Sequence, residues 1–463
     1  MRFLWLVGTV VLGSATAACA VKQPPRPADT LAGVLPATTV VPPEWFETTG
    51  LDGAVVTDWI RTFQDAQLEA LVDEGLDHNL DLRAAAARID GAAALATAAR
   101  SLLYPQLTAE GLAGVVHRDG TNERSGVVLG ASWELDLWGR VRAAGASADA
   151  RRDATAADLL AARQSVAALV ATLWYETTAT ERLRNTAAAA AVVYEDLLGL
   201  VKKRNEVGQV GGEDVALAGA DLDRVRQRER AFATSLQQIA RSLEVLVGRY
   251  PAAELALAPD LPPVPPPVPD GLPSELLERR PDLVAAERRV AAAFHAVQSA
   301  KAARLPRFTL TGGGGRSSSE LIRLVGASTS FWRLGLEMFA PIFLGGALQA
   351  QVDLATADQE AAMALFGQAA LRAFSEVEGS LAGEQLLADQ QRHLESVLAQ
   401  DAEALRLGRL RYNAGATDLL HVLQLQARQL DTQFSLVTIR NDRLANRIAL
   451  HLALGGGFLA AQP

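Results

Sequence analysis

This sequence has little of what a disulfide framework, a nucleic-acid surface or a bulky aromatic core requires. One of its 463 residues is a cysteine, Cys19, so no disulfide can form within a single chain. Aromatic residues make up 5% of it, and Ala dominates an apolar share of 49%. Such a composition favours long helices in close approach over large globular cores. Basic charge is also short: 44 Lys and Arg against 53 Asp and Glu give a net charge of -9, with Arg far outnumbering Lys. That excludes the basic face a nucleic-acid binder carries. Proline is missing between Pro105 and Pro251 and again between Pro341 and Pro463. Proline-free, Ala-rich runs of this length are free to stay helical.

Catalytic signatures are missing as well. The six histidines, His78, His117, His295, His393, His421 and His451, form no metal-ligand spacing such as H-E-x-x-H. The glycine run from Thr311 to Gly315 lacks the Gly-Lys-Ser/Thr of a phosphate loop, and the acidic pairs have no acid–base arrangement. Neither an enzymatic activity nor a cofactor nor a metal is expected.

What is present begins with an export signal. "MRFLWLVGTVVLGSATAAC" has Arg2, an apolar core from Phe3 to Leu12, and small residues before Cys19. This is the layout of a secretory signal peptide over 1–18, too short to span a bilayer. Small residues directly before a Cys resemble a bacterial lipobox, with Thr16 where Leu is usual, and make Cys19 the expected site of lipid attachment. Ordinary cleavage near Ala18, leaving a free thiol, is the alternative.

The chain then repeats itself. The segment from Asn79 answers the one from Arg280: Asp81 pairs with Asp282, Arg88 with Arg289, Pro105 with Pro306, Thr108 with Thr309 and Gly111 with Gly312, at a constant shift of 201. Gly139 answers Gly345 at 206, while Arg204–Gly208 answers Arg411–Gly415, and Gly248 answers Gly455, at 207. The shift grows between Gly111 and Gly139, so that interval contains a loop. The expected organisation is a lipid-anchored extended segment over 19–60, a first repeat over 61–261, a proline-rich semi-rigid linker over 262–271, a second repeat over 272–457 and a tail over 458–463. Each repeat reads as a moderate helix, a strand hairpin, a very long helix, a sharp turn and another long helix. In the last helix of the first repeat, Leu222, Val225, Phe232, Leu236, Ile239, Leu243 and Leu246 form a three-four seam interrupted at Glu229.

The hairpins bear most on function. In "SGVVLGASWELDL", Val127, Leu129, Ala131, Trp133, Leu135 and Leu137 share one face, opposite Val128, Gly130, Ser132, Glu134 and Asp136. In "SFWRLGLEM", Trp332, Leu334, Leu336 and Met338 oppose Arg333, Gly335 and Glu337. This alternation fits a transmembrane barrel strand, apolar toward lipid and polar toward a lumen. Two hairpins supply four strands, which cannot close a barrel alone, and open edges are not tolerated in hydrocarbon. If these strands span a membrane, several chains share one barrel.

"WIRTFQDAQLEALVDEGLDHNLDLRAAAARIDGA", "SWELDLWGRVR", "GLPSELLERRPDLVAAE", "PIFLGG" and "RYNAGATDLLHVLQLQAR" together resemble the TolC-like outer-membrane efflux proteins, in particular their lipoprotein (NodT-type) branch. The resemblance covers nearly the whole mature chain. It implies a mainly α protein with a small β part: a homotrimeric α-helical barrel crossing the periplasm and continuing into a shared twelve-stranded transmembrane β-barrel, four strands per chain. The implied function is a passive conduit in the outer membrane, carrying drugs or other small molecules from an inner-membrane efflux pump through a periplasmic membrane-fusion adaptor to the exterior. Outer-membrane lipid is its other partner. By the same resemblance the turns between long helices contact the adaptor. These are Arg204, Gly208, Gly212, Glu213 and Asp214 in one repeat and Arg411, Tyr412, Gly415 and Thr417 in the other. Glycine supplies the backbone angles a tight helical hairpin needs. Asp418 and His421, spaced i, i+3, are expected on one helical face at the periplasmic aperture, with Asp418 equally suited to capping its helix. Two rival readings are a periplasmic adaptor and a structural envelope lipoprotein. The first lacks its lipoyl-like and β-barrel domains here, and the second gives no reason for two amphipathic hairpins.

Overall fold

The computed structural model describes residues 22–48, 50–51, 58–117, 121–258, 260–269, 271–318 and 330–456. The signal segment, Cys19 and the C-terminal tail lie outside the described residues. In chain order the elements are α1 (Pro27–Val34), a 3-10 turn (Trp59–Phe63), α2 (Ala66–His78), α3 (Leu80–Ser101), β1 (Gln106–His117), β2 (Thr121–Leu135), α4 (Arg140–Glu206) and α5 (Gly212–Leu246). There follow a second 3-10 turn (Pro273–Glu275), α6 (Leu276–Arg279), α7 (Pro281–Ala302), β3 (Arg307–Ser318), β4 (Ser330–Phe339), α8 (Ala347–Asn413) and α9 (Leu419–Ala453).

The duplication is visible in the lengths. α3 and α7 each have 22 residues, α4 and α8 each 67, α5 and α9 each 35. A 67-residue helix is about 100 Å long at ~1.5 Å per residue. Its start is fixed by Asp136, whose carboxylate accepts the N–H groups of Val141 and Arg142 at 3.0 and 2.9 Å and so satisfies two orphan donors of the first turn. Equivalent positions reach one end by different chemistry. Asn79 Nδ2 donates to the Leu246 carbonyl at 2.8 Å, and Arg280 Nη1 donates to the Ala453 carbonyl at 3.3 Å.

Two departures from the sequence reading concern local structure. β2 ends at Leu135, so Leu137 lies in the turn beyond it and not on the strand face. The segment expected to be extended before residue 60 contains α1, where Pro27 sits at the first helical position with its φ already suited to the helix. Beyond α1 the segment lies along α8. Trp45 meets Phe374 edge-on at 6.1 Å, and the N–H groups of Phe46 and Glu47 donate to the two oxygens of Glu378 at 3.0 and 3.1 Å.

The chain divides into two compact units. The first comprises the described residues of 22–39, 85–158 and 282–370, and so holds the four strands. Small residues let its helices approach: Ala150 packs with Ala291 and Ala292, and Ser147 Oγ donates to the Ala292 carbonyl at 2.8 Å. The second unit comprises 40–84, 159–281 and 371 onward. One of its cores gathers Trp59, Phe63, Leu68, Trp174, Tyr175, Leu243 and Ile448. Asp65 caps α2 through the N–H groups of Gln67 and Leu68 while its other oxygen accepts from Trp174 Nε1 at 2.8 Å. The seam predicted on α5 is real: Leu222, Val225, Leu236 and Leu243 are buried. In the linker, the carbonyls of Pro265 and Pro266 accept from Arg447, which is 2% exposed and ion-paired with Glu384.

Candidate functional site: the sheet and the helical tips

The four strands form one antiparallel sheet in the order β1-β2-β3-β4. Residues directly opposite in antiparallel pairs share a face, so the register decides which side chains stand together. Leu107 opposes Ala131, Ala131 opposes Gly312, and Gly312 opposes Leu334. One face thus carries Leu107, Val127, Leu129, Trp133, Leu310, Trp332, Leu334, Leu336 and Met338, with Arg316 and Ser330 at one end of it. All of it is accessible, with Leu107 82%, Trp332 84% and Leu334 72% exposed. The other carries Thr108, Glu110, Ser132, Glu134, Thr309, Thr311, Arg333 and Glu337. Among the described residues nothing covers the apolar face and nothing pairs with the outer sides of β1 and β4. Two tryptophans brace the sheet's end: Trp133 Nε1 donates to the Leu103 carbonyl at 2.9 Å, and Trp138 Nε1 to the Pro306 carbonyl at 2.7 Å.

The second feature is the pair of turns joining α4 to α5 and α8 to α9. Both are built identically. Gln209 N–H donates to the Arg204 carbonyl at 2.9 Å and Gly208 N–H to the Asn205 carbonyl at 3.0 Å. In the other repeat Ala416 N–H donates to Arg411 at 2.8 Å and Gly415 N–H to Tyr412 at 3.0 Å. These are Schellman motifs, with the left-handed residue supplied by Gly208 at φ +72° and Gly415 at φ +74°. Gly212 needs no such freedom. It opens α5, after Gly211 at an ordinary φ of -83°.

The starts of the following helices differ. In the first turn the side chain reaches back: Asp214 Oδ2 accepts from Gly211 N–H at 3.2 Å. In the second, Asp418 is itself the N-cap, its Oδ1 accepting from His421 N–H at 2.9 Å. Asp418 therefore precedes the helix instead of sharing one of its faces with His421, because an N-cap residue keeps extended backbone angles. Both side chains are exposed, as are Gly208, Gly212, Glu213, Arg411 and Gly415, while Asp214 and Thr417 are half-buried.

A contact between the two turns had no signal in the pattern. The Arg204 guanidinium stacks over the Tyr412 ring at 4.3 Å, and Tyr412 is buried with Tyr194, Leu222, Leu405 and Leu423. Both residues were expected at the tips, but only their coordinates reveal that each repeat holds the other. Beside them α4, α8 and α9 border an open groove of about 970 Å3. Its arginines are engaged: Arg182 with Asp260, Arg406 with Glu403, Arg409 with Gln426 and Arg440 with Glu395. Among the described residues each of its four arginines has a partner, which for Arg409 is the neutral amide oxygen of Gln426.

Comparison with known proteins agrees with this geometry. The family described as outer membrane efflux protein matches residues 71–249 and 272–456, one match per repeat. The pyoverdine export outer-membrane protein OpmQ of Pseudomonas putida is 30% identical over 466 residues, covering 96% of each chain. Among solved structures, the outer-membrane protein VceC of Vibrio cholerae superimposes with a TM-score of 0.82 at 27% identity, over 88% of this chain and 100% of that one. The open state of the MtrE outer-membrane channel of Neisseria gonorrhoeae also gives 0.82 at 27% identity, over 95% and 98%. These matches set aside the periplasmic-adaptor reading. With well over half its length matched, the chain belongs to the outer membrane efflux protein family, TolC-like channels of the bacterial outer membrane that extend into the periplasm.

Proposed function

We propose that three copies of this chain close one twelve-stranded barrel in the outer membrane. The assembly is the exit duct of a tripartite efflux system with an inner-membrane pump and a periplasmic adaptor. The observation that carries this reading is the sheet: four strands with one exposed face that is apolar from Leu107 to Val127 and from Trp332 to Met338, and two edges unpaired among the described residues. Unpaired backbone groups in hydrocarbon cost several kcal/mol each, so the edges must meet other copies. The same face that is unfit for water is suited to lipid. Helices of 67 residues, about 100 Å, are long enough to line a periplasmic duct.

Within this assembly Cys19 carries the lipid, and the tips formed by Arg204–Asp214 and Arg411–Thr417 meet the adaptor. Asp418 and His421 stand at the aperture. Repeats over 61–261 and 272–457 supply equivalent staves, joined by the 262–271 linker. The duct itself performs no chemistry and takes no cofactor. The test is the mass of the detergent-extracted protein by light scattering, corrected for bound detergent. Three chains per particle is the expected result; a stable monomer would remove the shared barrel.

A further inference from the structure

β3 contains four consecutive glycines, Gly312 to Gly315, between two neighbouring strands. Glycine inside a strand weakens it and marks a place where something approaches the backbone closely. At Gly313 the closest approach is the Leu129 carbonyl oxygen, 3.2 Å from where a methyl group would sit, and next comes Arg333, its direct partner on β4. A methyl group at Gly313 would lie 3.4 Å from Arg333 Nε and 3.8 Å from Arg333 Cγ. The arginine side chain is therefore laid across β3, along the polar face of the sheet, over ground that the glycine leaves bare.

The register shows what surrounds it. The row containing Arg333 reads Thr108, Gly130, Gly313, Arg333, with no acid. One row away toward Gly126 and Ser317 stands Glu110, on the far strand. Glu134 and Glu337 stand two rows away in the other direction, and Glu134 is already held by Arg140 at 3.0 and 2.7 Å. Of the face's other cations, Arg124 stands three rows away toward Gly126, and Arg307 lies over the Phe339 ring at 5.0 Å. Arg333 itself is exposed and has neither an ion pair nor a hydrogen bond among the described residues. A guanidinium is a permanent charge with a planar fork that matches carboxylate and phosphate oxygens. Rings of such residues confer anion preference on pores.

We propose that Arg333, repeated in each copy around the lumen, is a specificity-determining residue: it gives the barrel a binding step for oxyanions and favours passage of carboxylate- or phosphate-bearing solutes. The inference rests on the shared-barrel reading above. Gly313, directly opposite, puts no side chain of its own beside the guanidinium. The neutral row beside it, Gln106, Ser132, Thr311 and Gly335, leaves the charge uncompensated on that side.

The test uses the full-length protein in planar bilayers of uncharged lipid, with inorganic tripolyphosphate or citrate added to either side in turn. Both anions should reduce the wild-type current, and Arg333→Gln should need at least about tenfold more of each for the same reduction. Arg333→Lys should keep part of the effect. Adding Thr311→Arg, one row away, to Arg333→Gln should restore it, which separates a missing charge from a damaged barrel. Block by one anion alone would narrow the preference to phosphates or to carboxylates. Equal block in wild type and Arg333→Gln would overturn the proposal. So would wild type without block, as when Glu110 of an adjoining copy neutralises the arginine. Absence of any wild-type channel current would instead sink the shared-barrel reading.

Discussion

His451 on α9 is fully buried, stacked on Trp59 at 5.4 Å and edge-on to Phe63 at 6.4 Å, and neither ring nitrogen has a hydrogen-bond partner among the described residues. Burial, with the charge of Arg447 added to it, pushes the imidazole down from 6.5 to about 3. The native protein therefore holds it neutral, while the unfolded chain protonates below about pH 6.5. Its contribution to stability is complete above that pH and is lost progressively as pH falls toward the folded value. His451→Phe keeps the aromatic packing and removes the titration. The gap in unfolding midpoint between wild type and variant should move in the variant's favour between about pH 7 and 4. Parallel profiles would show that His451 is not what acid attacks. Asp418 and His421 make a different case, since the aperture role proposed for them is separable from capping. Losing the Asp418 cap should cost about 1 kcal/mol of helix stability. If the pair also lines a constriction, the Asp418→Ala, His421→Ala variant should pass a larger single-channel current than wild type at the same voltage and salt. An unchanged current leaves the cap and removes the gate.

At the scale of elements, the sheet makes an asymmetric demand on charge. Leu334→Arg places a guanidinium on the apolar face, where the cost at mid-membrane is about 2–4 kcal/mol per copy. Thr309→Arg places the same group on the polar face, in the row of Glu134 and Glu337. The first should strongly reduce the protein recovered in outer-membrane fractions and the second should not. Equal recovery would mean that the faces are not divided between lipid and lumen. This division was legible in the sequence because a period of two survives in Val127–Leu135 and Trp332–Met338 without any structural knowledge. The 67-residue helices were legible for a related reason: Ala content and missing prolines act residue by residue along one element. What the pattern could not carry were contacts between distant segments. Arg204 over Tyr412, Arg447 on the linker carbonyls and Arg333 over Gly313 join residues 208, 182 and 20 positions apart. No periodicity records such pairs. The strand end at Leu135 was missed because alternation continues into Leu137 after the pairing stops.

For the whole molecule, the strand order sets a test that no fold of a single chain can satisfy. β1 and β4 are the two edges, separated by β2 and β3. Three inter-strand steps of about 4.8 Å put them roughly 14 Å apart within one chain. That is well beyond the reach of a disulfide, whose Cα atoms lie within about 7 Å. Cys19 is the only native cysteine, and a Cys19→Ser background leaves none. Leu107→Cys on β1 can then be combined in turn with Leu334→Cys, Leu336→Cys or Met338→Cys on β4, all on the apolar face. Where the register of adjoining copies brings one of these pairs opposite, oxidation should produce covalent dimers and trimers and nothing larger, because a closed ring of three has no free edge left. Each single-cysteine variant should stay monomeric on a denaturing gel. Ladders beyond three would mean that the edges meet without closing at three copies. Monomers throughout the series would show that β1 and β4 do not meet, and the barrel would then have to be closed in some other way than by sharing.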